Sequence, residues 1–294
     1  KNIQTKECVS IDGITEQERI HSETLISILY GYGTPIPKQY EQIGKKYRGI
    51  AKGGFDIISS QFSLHYYFKN DITLYGFIQN LKENVKKGGY FIGTCYDGTK
   101  IFNHFKETNH KLHTLWESQH VELDEDTDTD TDTDTDIELE EKNDIYEEYT
   151  RFQLKDTFQN TVFSIEKKYT MDDFTYKPDE KEKMLGNKIN VYMDSIGQPI
   201  DEYLVNFDFF IDVMHENGFE IVQPKTNVNL FHSKYFENNL GQFKNVIENL
   251  SEIRDSDEIF RKFYSEAYNM DIQYHKSPLS ILSSFNSYFI FQKV

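Results

Sequence analysis

With 294 residues, 37% of them hydrophobic, the chain can bury a full core as one large domain or two small ones, and it holds no uncharged apolar run long enough to span a membrane. The opening KNIQTKECVS lacks the apolar segment of a secretory signal, and two cysteines, Cys8 and Cys95, are too few for a disulfide framework or a zinc knuckle, which points to a reducing, intracellular setting. The formal charge of −17 argues against broad phosphate-driven binding of nucleic acid, DNA included. Twelve acids and no base fall between Glu122 and Glu141, however, and the remainder, at −5, can still hold a small site for an RNA end.

Taken in chain order, Glu16 to Leu29 reads as a helix and Gly31 to Pro37 as a turn region. Lys38, Lys45, Lys46, Arg48 and Lys52 make a loose basic patch, of the kind an ordinary solvated surface carries. GFDIISSQF, Gly54 to Phe62, is a short β-branched run ending in polar residues, as a parallel strand with a functional C-terminal end would. Asn70 and Asp71 are good caps for a helix with Ile72, Tyr75, Ile78, Leu81 and Val85 near helical spacing, stopped by Gly88 and Gly89. YFIGTC, Tyr90 to Cys95, is the next strand.

The alternating Asp and Thr residues from Asp124 to Asp136, within the tract 122–141, predict a solvated acidic loop, because like charges repel and no apolar side chain offsets the entropy of ordering. A β-rich, charged stretch includes TRFQLKDTF and TVFSIEKKYTM. DFFIDVMHENGFEIVQP follows as an amphipathic helix, a stop at Gly218 and a strand from Phe219 to Val222. Helices are expected near Leu240–Ile253 and Glu258–Asn269, and SYFIFQKV closes the chain as a strand. Strand–helix–strand units sharing one sheet imply an α/β fold with its site outside the strand C-termini. His104, His110 and His113 have no carboxylate or thiol at a metal-ligand spacing, and Gly31-Tyr32-Gly33 follows no strand, so neither is read as a site.

FDIISSQFSLHYYF, Phe55 to Phe68, resembles the signature of cap guanine-N7 methyltransferases: a strand, a serine-rich step, Gln-Phe, then His-Tyr and an aromatic. KKGGYFIGT, the block IGQPIDEYLVNFDFFIDVMHENGF and the terminal SYFIFQK match further blocks of that family in family order, spanning Gly54 to Val294, with the enzymes of large DNA viruses the nearest in character. The resemblance implies a class I S-adenosylmethionine-dependent methyltransferase, a Rossmann-like sheet with helices on both faces, carrying an inserted β-rich cap-binding region. The whole chain, residues 1–294, then reads as part of one such domain. S-Adenosylmethionine is the implied methyl donor and the 5′-capped end of RNA the implied partner, alongside other capping-enzyme domains or a subunit. A place in a viral factory, host cytoplasm or virion is implied for a viral source, and in the nucleus for a cellular one.

Guanine N7 presents a free lone pair, so no general acid or base is expected, and the residues need only bind and align. The resemblance places Gln61 and Tyr66 at the donor and His65, Tyr66, Glu202 and Tyr288 at the cap. Glu202 suits the guanine edge because a carboxylate accepts from both N1–H and the exocyclic amine, whereas adenine leaves it unpaired. His65 and Tyr66 offer flat faces to an unstacked base. This reading requires Gln61, His65, Tyr66, Glu202 and Tyr288 to converge on one pocket shaped for a flat purine, with Glu202 facing His65.

The chain departs from the family in lacking its Asp-x-x-Cys-Gly-x-Gly-Gly-Asp loop and the acidic residues that hold the donor ribose and adenine. The first sheet strands are therefore expected to be missing, and the chain alone is expected neither to bind the donor tightly nor to turn over. A non-catalytic, methyltransferase-like stimulatory subunit and a degenerate cap-binding module are the competing functions.

Overall fold

A computed structural model of the chain describes residues 15–33, 35–120, 150–155, 158–222, 236–237, 240–243 and 282–294. The acidic tract, Cys8, and the helix expected over Glu258–Asn269 lie outside the described residues.

Helix α1 (Glu16–Tyr30) starts at Thr15, whose hydroxyl accepts from the Glu18 amide while the Glu18 carboxylate accepts from the Thr15 amide. It ends at Gly31 in the left-handed conformation, so the Gly-Tyr-Gly run is a helix cap. A short α2 (Glu41–Tyr47) carries Lys45 and Lys46, with Lys45 paired to Glu41 at 2.7 Å, and the next turn leads into β1 (Phe55–Gln61). The basic residues therefore lie on the segment that leads into the start of β1, the strand end opposite Gln61.

Helix α3 (Asp71–Asn84) is capped by Asn70 and returns the chain to β2 (Val85–Tyr96), which runs parallel to β1. Its buried stripe is Leu74, Ile78 and Leu81, whereas Ile72 and Tyr75 face solvent, so the apolar face differs from the one expected. Gly88 and Gly89 do not stop the helix, which ends at Asn84; they lie inside β2. The reason is close approach: a Cβ on Gly89 would fall 2.9 Å from the Asp56 carbonyl oxygen and 3.1 Å from that of Phe55, where the β1–β2 register slips. Val85, expected on the helix, is the first residue of the strand.

Helix α4 (Gly98–His120) occupies a stretch for which no helix was expected, and it carries His104, His110 and His113. Beyond it, β3 (Arg151–Lys155), β4 (Thr161–Lys167), β5 (Lys188–Met193) and β6 (Pro199–Tyr203) form a second, four-stranded antiparallel sheet. Helix α5 (Phe207–Glu216) and β7 (Phe219–Ile221) return to the first sheet, joined there by β8 (Phe236–Glu237), β9 (Leu240–Gln242) and β10 (Asn286–Lys293). Leu240–Gln242, expected to open a helix, is thus a strand; the rest of that expected helix beyond Phe243 lies outside the described residues.

The first sheet has the order β1-β2-β10-β9-β8, with β7 also on β10, and β10 inserts antiparallel against β2. Along β2 and β10 alternate residues take opposite faces. Phe91, Phe289 and Phe291 pack against Phe77 of α3 and Phe207 and Phe210 of α5. The opposite face carries Ile57, Ser59 and Gln61 of β1, Ile92 and Thr94 of β2, and Tyr288 and Ile290 of β10. Ile57 is 58% exposed there. Helices were expected on both faces; among the described residues α3 and α5 cover one. The mixed α/β layering stands, and β1 is an edge strand of the described sheet.

Candidate functional site

Three local features bring the two sheets together where β1 and β2 end. Phe62 follows β1 with φ of 49°, left-handed backbone that a bulky residue adopts only under constraint, and its amide donates to the Thr94 carbonyl at 2.8 Å. That bend throws the chain into a 3-10 turn, Leu64–Lys69, that carries His65 and Tyr66. At the end of β2, Gly98 sits so close to the segment after β6 that a Cβ would lie 2.6 Å from the Val205 nitrogen, and the Gly98 amide donates to the Val205 carbonyl at 2.8 Å. Glu202, three residues before Val205, is thereby held beside the end of β2.

Glu202 lies in β6 opposite Ile189, buried to 5% exposure, rather than on an exposed helix start. His65, at 3% exposure, points its Nε2 at Glu202 Oε2 across 3.5 Å. That is too long for a good hydrogen bond, and both His65 ring nitrogens and Glu202 Oε2 are buried with no partner. Burial pushes the His65 imidazole down to about 4, so it is neutral at physiological pH. Burial likewise pushes the Glu202 carboxyl up to about 7. Three unpartnered polar atoms at one buried spot are costly to maintain.

Tyr66, 42% exposed, stands edge-on to His65 with ring centroids 4.3 Å apart, and burial followed by the Glu202 charge holds its phenol above the usual range. Tyr96, which ends β2, runs nearly parallel to His65, at 21° and 6.4 Å between centroids. Its phenol too is held well above the usual range, by burial first and then by the Glu202 and Tyr66 charges. Reading β2 as ending at Cys95 left Tyr96 out. The signal was the alternation Ile92, Thr94, Tyr96, which puts the tyrosine on the same face as Thr94.

Gln61 and Tyr288 occupy one row across that face, because Gln61 pairs with Thr94 and Thr94 with Tyr288. The Gln61 carboxamide donates to Ser59 Oγ at 2.8 Å and accepts from Thr94 Oγ1 at 2.6 Å. The Tyr288 ring leans the other way, over Gly241 of β9, and meets Phe243 edge-on at 6.1 Å. His65, Tyr66, Tyr96 and Glu202 therefore form one cluster, with Gln61 on the adjoining sheet face and Tyr288 farther along the same row. Cys95, buried beneath, has its thiol raised by burial and by the Asp97 and Glu202 charges, and is inert at neutral pH. Among the described residues, no three His, Cys, Asp or Glu side chains gather as a metal site, and no helix is long and apolar enough to cross a membrane.

A sequence model of the mRNA (guanine-N(7))-methyltransferase domain matches residues 36–135. The chain is 24% identical over 249 residues to a probable mRNA-capping enzyme of Acanthamoeba polyphaga mimivirus, covering 81% of this chain and 17% of that protein. It is 24% identical over 189 residues to the mRNA cap guanine-N(7) methyltransferase of Aspergillus clavatus, covering 64% of this chain and 30% of the relative. A 43-residue stretch is 42% identical to the Aspergillus niger protein of the same name, 15% of this chain and 7% of that one. The chain thus spans less than a third of the length of each of these relatives. Over residues 36–135 the chain is similar to the mRNA (guanine-N(7))-methyltransferase domain, and over longer stretches it is similar to capping proteins of a giant virus and of fungi.

Proposed function

We infer that the chain forms the cap-recognising part of an enzyme that transfers a methyl group from S-adenosylmethionine to N7 of the guanosine cap on an RNA 5′ end. The observation that carries this reading is the buried His65–Glu202 pair, whose unpartnered oxygen and nitrogens await polar groups from a ligand. Guanine supplies them: its N1–H and exocyclic amine donate to the Glu202 carboxylate, and its flat ring lies among His65, Tyr66 and Tyr96. An adenine would bring no such donor pair and leave the carboxylate buried and unpaired, a mismatch that discriminates by large factors.

S-Adenosylmethionine, when bound, supplies the electrophilic methyl group. The side chains present fit one edge of it: Gln61, pinned by Ser59 and Thr94 at the C-terminal end of a parallel strand, and half-exposed Tyr66 at the border with the cap. Parallel β1 and β2 joined through α3, with β10 inserted antiparallel, support a class I, Rossmann-like arrangement for the whole domain. These residues hold the purine still and exclude water, so that its N7 meets the methyl in line; such alignment can supply roughly 7–11 kcal/mol of a barrier.

The test is Glu202→Ala in the complete protein. Methylation of capped RNA is expected to vanish while donor binding persists. Unchanged turnover would reject the role given to Glu202. A stimulatory relic has no use for a guanine-reading carboxylate, so the enzyme is the favoured reading.

A further inference from the structure

The geometry points to Tyr96 as an unassigned residue of this site: an aromatic platform that stabilises the purine as it becomes a cation. The inference rests on the cap-binding reading and adds to it a role for one side chain. When N7 attacks, its lone pair forms the bond to the methyl carbon, the carbon–sulfur bond breaks with its electron pair staying on sulfur, and the purine ring is left positively charged. A site for this step must favour a flat cation over the flat neutral ring that entered. Three observations meet that demand.

First, the Tyr96 ring plane lies within 21° of the His65 plane, so a base stacked on one is aligned with the other. Second, no cation of the cluster opposes a positive purine: Glu202 is the one group there that ionises near neutral pH, Tyr66, Tyr96 and Cys95 stay protonated and uncharged, and His65 stays neutral through burial. Opposite Glu202 on β5 stands Ile189, while Lys188 beside it is committed to Asp201 at 2.9 Å. Third, Tyr96 is placed by the same strand that positions Thr94 and so Gln61, which fixes the platform relative to the donor side. A cation over an electron-rich ring is attracted most when the pair is shielded from water, and Tyr96 is only 8% exposed.

The test compares binding of an unmethylated cap dinucleotide, GpppA, with its N7-methylated form, using the full chain. Tyr96→Phe is expected to hold both ligands within about threefold. Tyr96→Leu, which keeps packing volume against Phe163 but has no π face, is expected to weaken the methylated ligand roughly tenfold more than the unmethylated one. Equal losses for both ligands would mean that Tyr96 is only packing, and the inference falls. Should the leucine variant not fold, stepwise fluorinated phenylalanines at position 96 keep the shape and drain the π face. A graded loss for the methylated ligand alone supports the platform, and a flat series overturns it. If the unaltered chain binds neither dinucleotide, the cap-binding reading itself fails. Binding that is lost in Glu202→Gln but keeps its methylated-to-unmethylated ratio in Tyr96→Leu sinks the platform alone.

Discussion

His65 Nε2 and Glu202 Oε2 lie 3.5 Å apart inside the protein, each without a hydrogen bond, with the imidazole pushed down to about 4 and the carboxyl up to about 7. An ion pair would have moved both groups the other way. Below pH 7 the site at rest is therefore nearly uncharged, and a guanine must there draw the proton off Glu202 before two of its donors can be accepted. Cap-dinucleotide affinity is expected to rise by up to tenfold per pH unit as pH climbs toward 7, and to level off above about 8. Calorimetry at pH 6 in buffers of different ionisation heat should show close to one proton released per ligand. A pH-independent affinity would mean that Glu202 does not accept from the ligand.

The same two groups shape stability. For Glu202 the folded-state value near 7 exceeds the ordinary 4.5, so the folded protein holds the proton longer than the unfolded chain, and stability falls as pH rises from about 4.5 to 7. For His65 the folded value near 4 lies below the ordinary 6.5, and stability rises as pH climbs from about 4 to 6.5. The two slopes nearly cancel. Glu202→Gln removes only the falling one, so its stability relative to the parent should improve by about 2–3 kcal/mol between pH 4 and pH 8. Denaturant titration at the two pH values measures the difference, and a constant offset would show that Glu202 is not desolvated as described.

The cap of α5 makes a separate prediction about what holds Glu202 in place. Asn206, at 2% exposure, accepts from the Phe209 amide at 3.0 Å and donates its Nδ2 to the Phe174 carbonyl at 2.7 Å. It joins the helix after β6 to the loop leading into β5. Asn206→Ala removes a helix cap and strands a buried carbonyl, for a loss of about 2–3 kcal/mol. Asn206→Ser restores the cap alone, its hydroxyl being too short to reach Phe174, and should recover about half, read in the same titration. Equal losses in both variants would leave the Phe174 contact as the whole effect.

The features legible in the sequence were those encoded locally. Asn70 as a cap, the strand Gly54–Phe62 and the strand at SYFIFQKV all depend on neighbours in the chain, and all are found in place. The meeting of His65 with Glu202 was legible only through a family resemblance, because 137 positions separate them and no periodicity reports a contact between two sheets. Gly88-Gly89 was misread for a physical reason. A glycine pair after a helix and a glycine pair admitted by close strand approach look alike until the neighbouring strand is known. Tyr96 was passed over because one aromatic at a strand end carries no mark of the imidazole it will lie beside.

The lean of Tyr288 is a consequence of Gly241. A Cβ at position 241 would lie 1.8 Å from Tyr288 Cζ and 1.9 Å from Cε2, inside the ring, so the tyrosine lies across β9 only because its cross-strand partner has no side chain. Gly241→Ala must push the ring off β9, and a displacement of that size in a packed sheet destabilises by about 1–3 kcal/mol. The lost stability should shrink sharply in the Tyr288→Ala background, where there is no ring to displace, and the double-mutant cycle isolates that coupling. Additive losses would show that the alanine harms β9 through its backbone, and the ring would then owe its position to something other than the glycine.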